Sequence, residues 1–236
     1  ISQSIRYTFK KYREEIKAPH FVFYIKEYLT EKYWKDILEE WWLKIYTTLD
    51  LDAQNKAEEI IKKQVETNKS LNASNSALIS IDNKYWDVVA YVWSADYFNE
   101  EIWWNVNIIT SKRQPGSSFK SLVYSLAIDK NAIWPLTPIY DTKTTFPWDY
   151  TPNNYDLKTM WKMTILTALN YSRNIPAVKA YYLAWGQNEI ITKLKDFWIN
   201  SLSAKFNYWA PLALWAWEVT PFEMVQAYSV FANLWN

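Results

Sequence analysis

The chain has 236 residues, half of them hydrophobic, which is enough for one large domain or a domain with a linker. Its 26 Lys and Arg against 25 Asp and Glu leave a net charge of +1, so the basic excess of a nucleic-acid binder is excluded. The absence of cysteine excludes disulfides, thiolate metal sites and a thiol nucleophile.

Residues 1–19 are polar and basic, and Lys17-Ala18-Pro19 reads as the end of a linker. His20–Ile25 leads into a helix start at Lys26–Leu29. Leu43–Leu49 alternates and is rich in β-formers, which predicts a strand. Asp52 is expected to cap a helix reaching Thr67, with Ala57, Ile60, Ile61 and Val65 on one face. Ser76–Asp82 and Asp87–Val92 are two apolar strands around a tight turn. From Ser117 to Asp129 the pattern is helical, with Phe119, Leu122, Val123 and Leu126 apolar. Pro135, Pro138, Pro147 and Pro152 mark an irregular excursion over 131–156. Helical patterns resume over 160–171, 176–184, 188–197 and 221–233. The expected class is α+β. No apolar run is long enough to span a membrane, no signal peptide opens the chain, and Ile1 places the expected natural start upstream.

One pair of counts is abnormal: 2 Gly and 16 Trp. Ordinary usage of about 7% predicts roughly 16 or 17 Gly in this length, close to the combined 2 + 16 = 18. The Trp positions look like glycine positions. Trp41-Trp42 and Trp103-Trp104 sit in polar, turn-like surroundings. Trp86 follows Asn83-Lys84-Tyr85 between two strand patterns, and Trp215-Ala216-Trp217 precedes a helix start at Pro221. These are places where the chain needs φ > 0 or punctuation. The competing reading is a Trp-rich carbohydrate- or wall-binding surface, which would not remove Gly from the turns.

The segment Arg113-Gln114-Pro115-Gly116-Ser117-Ser118-Phe119-Lys120 carries the chemistry. Ser117 follows a Pro-Gly break at a helix N-terminus, where the dipole favours a developing alkoxide. Lys120 lies one turn along the same face. If burial near other cations lowers its pKa, its amine can take the Ser117 proton. A Ser and a Lys three apart also arise by chance in a chain of this length. Ser172-Arg173-Asn174 follows a helical run. A Ser hydroxyl can relay a proton, and an Asn can hold a substrate amide. Ser70-Leu71-Asn72 matches the same pattern and reads as a loop. His20, the single His, reads as a linker or packing residue, and no clustered ligands predict a metal site.

Gln114–Lys120 resembles the active-site motif of the class A, bifunctional penicillin-binding proteins, whose superfamily includes the β-lactamases. Ala168–Val178 is similar to a second segment of that family, and Leu43–Asp50 with Gln54, Ala57 and Glu58 to the opening of its transpeptidase domain. Ala18–Val22 resembles the joint to its glycosyltransferase domain, and Pro152–Asp156 and Ala227–Asn233 also match. The likeness is collinear from Lys17 onward. The family has Gly where this chain has Trp41, Trp42, Trp86, Trp93, Trp161, Trp185, Trp198, Trp209, Trp215, Trp217 and Trp235, and also at Trp34, Trp103 and Trp104; Trp134 and Trp148 match more loosely. A UGA codon read as Gly in the source organism accounts for this.

The resemblance implies a penicillin-binding/β-lactamase-like transpeptidase fold, with an antiparallel sheet and a helical subdomain. Residues 1–42 are then a linker after a glycosyltransferase domain, and 43–236 are a transpeptidase domain. It implies a peptidoglycan D,D-transpeptidase in which Ser117 is the nucleophile, Lys120 the base and Ser172 the proton relay, with Asn174 binding substrate. The implied partners are D-Ala-D-Ala stem peptides and β-lactams, with no nucleic acid, metal or cofactor. The implied location is the outer face of the cell membrane, anchored by an upstream segment. Two features depart from the family: Ser121 replaces its usual Pro, and its third motif, Lys-Thr-Gly, is absent from these 236 residues, so the chain alone is expected to be inactive. A D,D-carboxypeptidase or β-lactamase-type hydrolase is the alternative of the same superfamily; residues 17–50 speak against it.

Overall fold

The computed structural model describes residues 16–33, 43–99, 106–184, 186–203, 205, 208, 210–214 and 217–233. Pro19 opens α1 (Pro19–Tyr33), where a missing N–H leaves no bond unmade. The helix therefore starts at Pro19 and not near Lys26, and its buried residues are His20 and Phe21.

Residues 43–50 join no strand, which corrects the expectation for Leu43–Leu49. The Asp50 N–H donates to the Val89 carbonyl at 3.1 Å, and Thr48 Oγ1 donates to Val88 at 2.8 Å. That is too little to form a ladder, and Leu43 and Ile45 stay half exposed.

The cap of α2 (Leu51–Asn68) is Asp50, one residue before the helix, and not Asp52. Its Oδ1 accepts the Asp52 and Ala53 N–H groups, each at 2.9 Å, as an N-cap carboxylate should. Ala57, Ile61 and Val65 face inward as expected, joined by Gln54, while Ile60 is exposed.

The hairpin of β1 (Leu78–Asp82) and β2 (Asp87–Val92) forms as expected, antiparallel, with a register shift between Ser80 and Ile81. Gln54 binds the backbone of Tyr91 from both ends of its amide, at 3.2 and 2.7 Å, fastening α2 to β2. The nucleophile region divides into a 3-10 turn, Gly116–Phe119, and α3 (Lys120–Asp129). Lys120, Leu122, Val123, Tyr124, Leu126 and Ala127 of α3 are buried, so this helix runs through the interior.

The proline-rich excursion contains β3 (Pro138–Asp141), which pairs antiparallel with β4 (Trp161–Thr164). The expected helix over 160–171 is corrected at its front. Thr164 caps α4 (Ile165–Asn170), its Oγ1 accepting the Thr167 N–H at 3.1 Å, so the residues before it are free to extend. There follow α5 (Asn174–Ala184), α6 (Gln187–Leu194) and α7 (Pro221–Ala232). A capping box closes the front of α7 between Thr220 and Glu223.

The largest core cluster joins α3, α5, α6 and the 197–219 region. A second, aromatic one joins α1 and β2 through Phe21, Tyr91 and Trp93. Helices beside two small antiparallel sheets make an α+β fold. Among the described residues no helix is long and apolar enough to cross a membrane, and no cluster of three potential metal ligands occurs.

Candidate active site

Gly116 adopts φ +56. A Cβ there would meet nothing within 4 Å, so conformation and not space selects glycine. This kink opens the 3-10 turn and leaves Ser117 exposed on it. The turn is braced from two sides. Arg113 and Val219 exchange backbone hydrogen bonds at 2.8 and 3.0 Å. Tyr228 on α7 donates its hydroxyl to the Ser118 carbonyl at 2.6 Å, and its oxygen lies 2.6 Å from Ser121 Oγ.

Lys120, the next residue after that turn, is 1% exposed. Its Nζ donates to the Ser172 carbonyl at 2.5 Å, to Asn174 Oδ1 at 2.6 Å and to Ser172 Oγ at 3.1 Å. The structure thus brings together three of the four residues picked from sequence, across more than fifty positions, and sets Ser117 at the mouth of the turn that leads into Lys120. All three of these partners of the amine are neutral. Burial without a counter-ion, and secondly the charge of Arg173, lower the Lys120 pKa to about 8. Ser70-Leu71-Asn72 lies on an exposed turn at the end of α2, as a loop should.

Ser172 reaches Lys120 from a helix end. After α4, the Ser172 N–H donates to Leu169 and the Arg173 N–H to Ala168, both at 2.9 Å. This is a Schellman closure with Ser172 in the left-handed position, φ +51. Asn174 then opens α5.

Sequence reasoning missed what holds this turn. Arg173 is buried and donates to Asp141 at 2.8 Å, to Asp156 at 3.0 Å and to the Lys158 carbonyl. Asn154, also buried, donates to Asp141 at 2.8 Å and accepts the Asn174 N–H at 2.8 Å. The collinear match at Pro152–Asp156 was the only signal that pointed here.

A family profile described as the penicillin binding protein transpeptidase domain matches residues 76–234. The chain belongs to that family. It is 34% identical over 225 residues to penicillin-binding protein 2D of Bacillus subtilis, covering 92% of this chain and 31% of that protein. To penicillin-binding protein 1C of Escherichia coli it is 31% identical over 153 residues, covering 65% and 19%. The transpeptidase-family chain thus spans a third or less of these two relatives. Among solved structures, penicillin-binding protein 1A of Haemophilus influenzae aligns with TM-score 0.59 and 29% identity over 67% of this chain and 23% of that one. PonA1 of Mycobacterium tuberculosis, solved with penicillin V, aligns with TM-score 0.72 over 92% of this chain and 59% of that one. At 18% identity this second likeness concerns the fold alone.

Proposed function

We propose that this chain carries the acylating half of a peptidoglycan D,D-transpeptidase site, working within a longer protein at the outer face of the cell membrane. The observation that carries the reading is the buried Lys120 amine held against Ser172 and Asn174. In the free-base form Lys120 has two N–H groups for the two short contacts, to the Ser172 carbonyl and Asn174 Oδ1. Its lone pair is left toward the Ser172 hydroxyl, 3.1 Å away. A pKa near 8 makes that form accessible at neutral pH.

In this reading Ser117 Oγ bonds to the carbonyl carbon of the penultimate D-Ala while its proton passes to Lys120 Nζ. The C–N bond to the terminal D-Ala then breaks, and the leaving amine receives that proton through the Ser172 hydroxyl. Asn174 holds the stem-peptide amide. The amine of a neighbouring stem peptide attacks the acyl carbon and gives its proton to Lys120; the ester C–O bond breaks as Lys120 returns a proton to Ser117 Oγ. A β-lactam enters by the first step alone, its ring nitrogen remaining attached to the acyl group. The family's Lys-Thr-Gly strand, absent from these residues, would bind the substrate carboxylate and supply one N–H to the oxyanion. Losing one such donor costs about 100- to 1000-fold in rate.

The test is fluorescent-penicillin labelling of the full-length protein followed by peptide mapping. Label is expected on Ser117 and is lost in Ser117→Ala. Label on another residue, or persisting in Ser117→Ala, overturns the assignment.

A further inference from the structure

Lys120 depends on a turn that is not stable by itself. Ser172 sits at φ +51, a position that favours glycine. The two groups facing Lys120, Ser172 and Asn174, flank Arg173 in sequence, so whatever fixes Arg173 fixes both.

Arg173 is fixed on every side. Its guanidinium bonds Asp141 on β3, Asp156 and the carbonyl of Lys158. Asp141, fully buried, spends its other oxygen on Asn154 and also accepts the Met160 N–H at 2.9 Å. Asn154 closes the ring by accepting the N–H of Asn174, while the Asn174 side chain donates to the Asn153 carbonyl at 2.7 Å. A planar fork bonded to three acceptors fixes direction as well as distance, which a lysine cannot do.

We propose that Arg173, Asp141 and Asn154 form a buried clamp that positions the Ser172–Asn174 turn on the Lys120 amine and keeps a fixed positive charge beside it. They are positioning residues, and the inference rests on the transpeptidase reading only for its rate measurements. The other titratable groups on the elements that carry the site are Tyr124 on α3, Asp141 on β3, Asp156 and Lys158 between β3 and β4, and Lys179 on α5. Arg173 disfavours the ammonium form of Lys120. Arg173 itself pairs with Asp141 and Asp156. Removing the guanidinium therefore moves Lys120 in one direction only, toward the protonated form.

The experiment measures the titration of Lys120 in the full-length protein by competitive acetylation with mass spectrometry, beside the pH dependence of penicillin acylation. In Arg173→Gln the Lys120 midpoint is expected to rise by about one unit or more, and acylation at pH 7 to fall about tenfold and recover on raising the pH. Arg173→Lys keeps the charge and loses the fork. Its midpoint is expected to stay near that of the parent, while its acylation rate above the midpoint falls about tenfold. An unmoved Lys120 midpoint in a folded Arg173→Gln overturns the clamp. If that variant does not fold, an unchanged plateau rate in Arg173→Lys overturns it. A parent that is never labelled at Ser117 sinks the transpeptidase reading alone, because the Lys120 titration is read without acylation.

Discussion

Four tryptophans, Trp86, Trp148, Trp161 and Trp198, have φ between 61 and 65. Asn and Asp tolerate this region, but for a bulky residue it is an outlier costing about 1–2 kcal/mol. Both glycines, Gly116 and Gly186, are also at positive φ. Trp86 closes the β1–β2 hairpin, and Trp198 ends a 3-10 turn as its left-handed cap, places where glycine is the ordinary choice. Trp148 shares the signature although its family match was loose. Trp93 does not share it, and Trp215 lies outside the described residues. Trp217 is crowded instead, its ring centroid 3.8 Å from that of Phe119, closer than the usual ~4.5–7 Å of aromatic pairs. Four of these positions have a backbone conformation that glycine adopts freely. The four codons are expected to be UGA, and in protein that carries Trp there, each Trp→Gly change is expected to raise stability by about 1 kcal/mol. UGG at most of them, together with loss of stability on substitution, overturns the recoding.

At the scale of elements, one helix end joins stability to chemistry. Ser172 closes α4 in a conformation that glycine adopts freely. Ser172→Gly is therefore expected to stabilise by about 1 kcal/mol while slowing acylation by 100-fold or so, the scale of a lost proton relay. Ser172→Ala should lose the rate and gain no stability. Denaturant midpoints and labelling rates of the two variants check this; equal stabilities would mean that the strain is not there. Helix 51–68, with its apolar face, was legible in the sequence, as were helix 221–232, with its Thr-Pro-x-Glu start, and the hairpin, because pattern and turn agree locally. The β3–β4 pair was not. Met160-Trp161-Lys162-Met163 runs without a break into the pattern of α4, and its partner strand lies twenty residues away in a proline-rich stretch. The meeting of Lys120 with Ser172 and Asn174 could be expected because the two short patterns that hold them restrict residue type and spacing. Asp141 and Asn154 could not, since nothing in their own neighbourhood shows that their partners are Arg173 and Asn174.

At the scale of the molecule, the docking of α1 on β2 through Phe21, Tyr91 and Trp93 also buries an imidazole. His20 is 3% exposed and lies 2.9 Å from Ser94 through Nε2. The rings of Trp93 and Tyr97 approach it edge-on at 5.0 and 5.4 Å. It is the packing residue the sequence suggested, and burial lowers its pKa to about 4, with Lys62 adding slightly and Asp96 opposing. A folded value below the unfolded one means that the unfolded chain takes up the proton first. The stability His20 allows is complete above about 6.5 and is lost as the pH falls from there to about 4, with no further loss below. Between pH 7.5 and 4.5 the loss is on the order of 2–3 kcal/mol. His20→Gln keeps a hydrogen-bonding group for Ser94 and cannot titrate in this range. The fall in urea midpoint between these two pH values is expected to be smaller in His20→Gln than in the parent by that amount. Equal falls in the two proteins would place the acid sensitivity in the carboxylates, and α1 would then dock independently of the charge on His20.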